Sequence, residues 1–133
     1  MCSMKLNRYW IEKIDYSLDI DLYGNRNKEI NIVPELKREV FDIDENNAVV
    51  KLSLVVKKTN VVPFFINIIV CGLFESSNWK ESEDGQYFIN TISVQVLFPY
   101  LRQAVSTITG LSNISQYVLP IININNLFNK DNK

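Results

Sequence analysis

Between Gly85 and Asn129, a stretch of 45 residues, the only formal charge is Arg102. Fourteen of the fifteen acidic residues, and all but three of the fourteen basic ones, precede Gly85. A helix on the surface of a globular protein normally keeps charges on its outer side. A charge-poor half of this length has two explanations. Either another subunit or apolar ligands cover its outer faces, or Asn, Gln, Ser and Thr replace charges on a face that stays wet. The first is the stronger reading, and it predicts an oligomer.

Within this half the apolar period is helical. Phe88, Ile89, Ile92, Val96, Leu97, Tyr100, Leu101, Ala104, Val105 and Ile108 recur at three- and four-residue spacing as far as Gly110. The spacing predicts a long helix from Gln86. Pro99 lies inside it and removes the amide that would bond the Gln95 carbonyl, so a kink at Gln95 to Phe98, or a shorter helix beginning there, is expected. Further on, Gln116 to Ile122 reads as extended and Asn125 to Phe128 as a short terminal turn of helix.

The charged half reads as strand. From Lys13 to Leu22 the chain alternates, with Ile14, Tyr16, Leu18, Ile20 and Leu22 opposite Lys13, Asp15, Ser17, Asp19 and Asp21, the pattern of a half-buried antiparallel strand. Tyr23-Gly24-Asn25 ends it. Arg26 to Asn47 is polar, holds Pro34 and scattered apolar residues, and reads as a long, partly extended crossover with a turn at Glu45-Asn46-Asn47. Val49 to Lys58 alternates again. Val61 to Phe74 is apolar on both faces apart from Asn67, which predicts a central strand covered on both sides, paired antiparallel with its predecessor across a turn near Thr59-Asn60. Ser76 to Gly85 reads as a polar loop. At 133 residues the chain predicts one α+β domain over 1–133, long enough to bury a core without disulfide or metal staples.

Composition narrows the chemistry. Histidine is absent, which removes Ser-His-Asp and Cys-His catalysis and imidazole metal ligation. Cys2 and Cys71 lack the paired spacing of zinc or redox sites, so free thiols in a reducing cytoplasm are expected. The four glycines are isolated, and neither a P-loop nor a dinucleotide fingerprint can be assembled. With 14 Lys+Arg against 15 Asp+Glu there is no basic excess for nucleic acid. No apolar run approaches a membrane span, so a cytoplasmic protein without membrane insertion is expected. Asp15, Asp19 and Asp21 read as a solvated face or a partner-facing acidic patch, and no metal or cofactor is implied. Most of the many aromatic residues fill the core, and any that line a groove suit loose recognition of extended apolar segments.

Two motifs then carry a family resemblance. Leu97-Phe98-Pro99-Tyr100-Leu101-Arg102-Gln103 resembles the LFPYAR motif of the SecB protein-export chaperones, and Leu119-Pro120 followed by Ile122-Asn123-Ile124-Asn125-Asn126-Leu127-Phe128 is similar to that family's LAPVNFDALF run. Upstream, Tyr9 to Leu22 resembles the first strand, Pro34-Glu35-Leu36-Lys37 the crossover, and Val61 to Phe74 the apolar strand before the helix. The resemblance implies a four-stranded antiparallel sheet with a long helix packed on it and a short C-terminal helix. It implies a homotetramer, a dimer of dimers with helices sandwiched between sheets, that catalyses nothing. Hydrophobic grooves would hold unfolded or precursor polypeptides in the service of protein export.

Carried onto this chain, the resemblance places Leu36 and Val40 of the crossover, with Leu127 and Phe128 of the terminal helix, in the client groove. Leu97, Phe98, Tyr100 and Leu101 become core and subunit contacts. Asp19 roughly matches one acidic position used for docking to the translocase. A second such position is Tyr23, and the ending Asn129 to Lys133 is short and basic, which weighs against delivery to SecA. A SecB-like chaperone or adaptor dedicated to one partner, such as an antitoxin, needs no such surface and stands as the alternative. A hot-dog thioesterase also packs a long apolar helix on an antiparallel sheet, but its usual acid has no counterpart between Gln86 and Gly110.

Overall fold

In the computed structural model the described residues are 3–19, 34–59, 62 and 64–110. Four strands, β1 (Lys5–Leu18), β2 (Glu35–Asp42), β3 (Asn47–Val56) and β4 (Phe64–Glu75), form one antiparallel sheet in the order β1-β4-β3-β2. A 3-10 turn (Trp79–Glu81) leads into an unbroken helical run made of α1 (Glu83–Tyr87), a π turn (Phe88–Ile92) and α2 (Ser93–Gly110). This is the sheet-plus-long-helix architecture that the sequence leads one to expect. The short C-terminal helix, the extended Gln116 to Ile122 and the Tyr23 turn lie outside the described residues.

The core is built from one face of the two central strands. Ala48, Val50, Leu52, Leu54 and Val56 of β3, with Phe64, Ile66, Ile68, Val70 and Phe74 of β4, lie under the helix. Ile89, Val94, Leu97, Phe98, Leu101, Ala104 and Val105 close over them. Each fully buried Leu, Ile or Val side chain here contributes about 1.5–3 kcal/mol of transfer free energy, which is why alternation alone positions both strands. Gly72 of β4 lets the helix come close: a Cβ there would meet Phe74 Cε2 at 2.7 Å and Leu97 Cδ2 at 3.0 Å.

Three expectations need correction, and the extended part of the crossover is a strand, since Glu35–Asp42 is β2, an edge strand paired with β3. Its alternation is hidden because Arg38 occupies an inward position between Leu36 and Val40. Strand β1 begins at Lys5, eight residues earlier than the alternation suggests, because irregularities between Leu6 and Arg8 and between Ile11 and Lys13 each insert a residue. Every such bulge flips the side chains beyond it to the other face.

The helix starts at Glu83, with the Ser82 hydroxyl accepting the Gly85 amide at 2.9 Å. It runs through Pro99, so no shorter helix begins at Gln95 to Phe98, and it carries an irregular turn at Phe88–Ile92. Finally, β4 is covered on one face only. Phe65, Asn67, Ile69 and Leu73 on the far side are half-buried, although Cys71 between them is fully covered.

The end of the sheet is tied together by side chains. Asp44 accepts from the Asn46 amide and from Asn47 Nδ2 at 2.8 and 2.9 Å, and these bonds hold its carboxyl below the usual range. Asn46 in turn accepts from Ser76 N through its carbonyl and from Asn78 N through its side chain. Asn78 has φ 49°, a left-handed conformation that asparagine tolerates. Lys80 pairs with Asp42. The β2–β3 turn and the loop after β4 are thereby fastened to each other.

Candidate functional site

The helix crosses the sheet over β3 and β4, so parts of the two edge strands are left uncovered on its side. These margins are the candidate surfaces. On the first margin, β1 presents Leu6, Tyr9, Ile11, Ile14, Tyr16 and Leu18 inward, as their partners Phe74, Gly72, Val70, Ile68, Ile66 and Phe64 fix. Tyr9, Ile11 and Ile14 remain 48%, 44% and 45% exposed. Tyr9 stacks on Tyr100 of α2 with ring centroids 4.0 Å apart. β1 is also a sheet edge with no strand beside it among the described residues, and 14 residues of free edge is a template for further pairing.

The second margin is β2. Leu36, Arg38 and Val40 point to the helix side opposite Leu54, Leu52 and Val50. Leu36 and Val40 pack against the core and are half-buried. Arg38 reaches from between them to the π turn, where its Nη1 donates to the Asn90 carbonyl at 2.5 Å. Side chains bond within that turn as well. The Ser93 amide bonds the Phe88 carbonyl five residues back, and the Ser93 hydroxyl takes the Ile89 carbonyl at 2.5 Å. Asn90 Nδ2 donates to the Gln86 carbonyl at 2.8 Å.

Leu97 and Leu101 are fully buried and Phe98 nearly so, whereas Tyr100 stands at the helix margin against β1. Leu36 and Val40 sit together on β2, beside β3, and pack against the core to which Leu97, Phe98 and Leu101 belong. Asp19 follows β1 and pairs with Lys58 at 3.2 Å. Asp15 faces outward, and Asp21, Leu127 and Phe128 lie outside the described residues. Sequence reasoning passes over Arg38 and over Tyr9 and Ile11. The signal for the latter two is present but scrambled, since the inserted residues break the period of two.

The far face of the sheet is charge-balanced. Lys51 bonds Glu12 at 2.7 Å, a bond that raises the lysine's pKa, and Lys37 and Lys57 lie 3.4 and 3.6 Å from Glu39 and Glu35. Arg8 lies over the Trp10 ring at 5.2 Å. Cys71 sits between Trp10 and Lys51 on this face. Burial pushes its thiol pKa up, Glu12 adds to the rise and Lys51 opposes it. A thiol held protonated and covered reacts slowly. In a Cys2→Ser background, Cys71 is expected to react with an aromatic disulfide reagent at least about 100-fold more slowly in the native protein than in denaturant. Equal rates would show that the Trp10–Lys51 cover is open.

Among the described residues no group of His, Cys, Asp or Glu could hold a metal ion, and no helix is long and apolar enough to cross a membrane.

Comparison with known proteins adds three kinds of match. The family model described as preprotein translocase subunit SecB matches residues 20–133. A protein-export protein SecB of Psychrobacter cryohalolentis is 28% identical over 131 residues, covering 94% of this chain and 84% of the relative. An uncharacterised protein of Methanocaldococcus jannaschii is 28% identical over 127 residues, covering 92% of this chain and 81% of its own length. Among solved structures, a SecB-like chaperone of Mycobacterium tuberculosis in complex with a ChAD peptide from an antitoxin superposes with a TM-score of 0.67 at 17% identity, covering 90% of this chain and 88% of that one.

Proposed function

The chain belongs to the SecB family of chaperones, and from that premise we propose that it holds extended, non-native polypeptide, with one dedicated partner of the antitoxin kind as its main client. The observation that carries this reading is the exposed apolar margin along an otherwise complete core. Leu36 and Val40 offer half-buried aliphatic surface on a sheet edge, to either side of Arg38, where an extended segment can lie. The family resemblance assigns Leu127 and Phe128 to the same groove. The far sheet face supports a dedicated client over export, because among the described residues its cations pair with its anions and offset the acidic charge that a translocase surface would use. Asp19, the one residue that matches such a docking position, is already engaged by Lys58.

Export of precursor proteins is the second reading, favoured by the relatives named protein-export protein SecB. Both readings place the protein in the cytoplasm as a homotetramer. Each dimer would form by antiparallel pairing of two β1 edges, which covers Tyr9, Ile11 and Ile14, and two dimers would meet through the helices. The outward residues of α2, Gln95, Pro99, Gln103 and Thr107, are exposed and uncharged, as such a seam requires.

Affinity capture of the intact protein from cytosol, followed by mass spectrometry, separates the readings: one antitoxin-like protein supports the first, and many precursor proteins the second. Leu36→Asp and Phe128→Asp are each expected to weaken binding of a permanently unfolded probe, reduced and carboxymethylated α-lactalbumin, by about 1–3 kcal/mol without changing the oligomer. Unchanged affinity in both variants would move the groove elsewhere.

A further inference from the structure

We propose that Arg38 is a positioning residue for the client groove: its bond to the Asn90 carbonyl clamps edge strand β2, with Leu36 and Val40, to the π turn and so sets the width of the groove. The proposal rests on the holdase reading for its consequence, but the clamp itself stands on geometry. Among the described residues β2 is paired with β3 alone, and it is short, at eight residues. Its inward row is Leu36, Arg38 and Val40, so the guanidinium emerges midway between the two groove residues and ends on the helix at 2.5 Å.

The acceptor is not an arbitrary carbonyl. Asn90 sits inside the π turn, and the neighbouring Ile89 carbonyl is taken by the Ser93 hydroxyl from the helix side. Two successive carbonyls of the turn thus accept from side chains, Ile89 from the helix's own serine and Asn90 from the strand's arginine. A charged donor on a partly buried carbonyl makes one of the stronger hydrogen bonds available to a protein. An inward-facing arginine on an edge strand costs apolar contact that a leucine would supply. The clamp explains why an arginine stands there.

The test compares Arg38→Met, which keeps the aliphatic stem and loses the donor, with Arg38→Lys, which keeps a donor of similar reach. Two readouts are taken on the full-length protein. The first is amide hydrogen exchange across β2 without client. Protection of Glu35–Asp42 is expected to fall about tenfold or more in Arg38→Met, with β1 and β4 unchanged and partial recovery in Arg38→Lys. The second is affinity for the carboxymethylated α-lactalbumin probe, expected to fall about tenfold in Arg38→Met and less in Arg38→Lys.

Unchanged β2 protection in Arg38→Met overturns the clamp. Loosened β2 with full probe affinity overturns its role in the groove. Wild-type protein that ignores the probe sinks the holdase reading instead, and the exchange data then judge the clamp alone. Should Arg38→Met fail to fold, Arg38→Gln, which shortens the side chain and removes the charged donor, takes its place, and β2 protection that stays at the wild-type level in that variant also overturns the proposal.

Discussion

Lysine placed at both Ile11 and Ile14 is expected to break the assembly while leaving the subunit folded. Both side chains lie on the helix side of β1, near 45% exposure, on a strand whose outer edge carries no neighbour among the described residues. Fully burying an isoleucine is worth about 1.5–3 kcal/mol, so a half-exposed one retains about 1 kcal/mol to be gained on association. A two-fold interface uses every residue twice. The double variant therefore removes about 4 kcal/mol before the cost of confining ammonium groups, a shift of about 1,000-fold in the dissociation constant.

Light scattering reads the outcome directly. Wild-type protein at micromolar concentration should show four times the 15.4 kDa chain mass, and the variant two chains or one, with an unchanged far-ultraviolet spectrum. A wild-type protein that is already monomeric would remove the tetramer from the proposed function. A variant that remains tetrameric would place the seam on another surface.

Gly85→Ala gives the second large effect, with a sign opposite to helix propensity. In an exposed helix interior this exchange stabilises by about 0.5–1 kcal/mol. Here the added Cβ would stand 2.6 Å from both Cα and the carbonyl oxygen of Trp79, and 3.0 Å from Ser82 Oγ. The first two are backbone atoms that no rotamer change can move. Relief requires shifting the 3-10 turn away from the first turn of α1, which drags the Trp79 ring, 6% exposed, out of the core and strains the Ser82 cap. Losing a cap and part of a buried aromatic together costs about 2–4 kcal/mol. Urea denaturation at fixed protein concentration measures it, since an oligomer's apparent stability depends on concentration. A variant as stable as wild type would mean that the close approach is absent in solution.

How much of this fold is legible in the sequence depends on whether a strand keeps its period. β3 keeps a strict alternation from Asn47 to Val56, and the alternation alone places its inner row. β1 keeps it only from Lys13 onward, and the two inserted residues upstream mask Tyr9 and Ile11 as members of the same row. β2 has one member of its inner row replaced by Arg38, and a three-residue row with a charge at its centre looks like irregular chain. Trp79 sits in a run rich in Glu and Ser, yet its indole is buried with Nε1 and the nearby Ser76 hydroxyl unpartnered. Polar neighbours say little about a single large side chain anchored by a tight turn. Leu36 and Val40 enter through the family resemblance, and the structure adds what the motifs do not contain: the shared face of those two residues and the arginine between them.

The wide turn at Phe88–Ile92 also settles a matter of angular phase. In a regular helix, residues eight apart stand about 80° from each other around the axis, whereas residues seven apart are only about 20° out of line. Ile89 and Leu97 are eight apart, and both are fully sealed from solvent. One surplus residue absorbed in the turn makes them behave as a pair seven apart, so a single helical run can aim two apolar stretches, out of step by one letter, at the same floor.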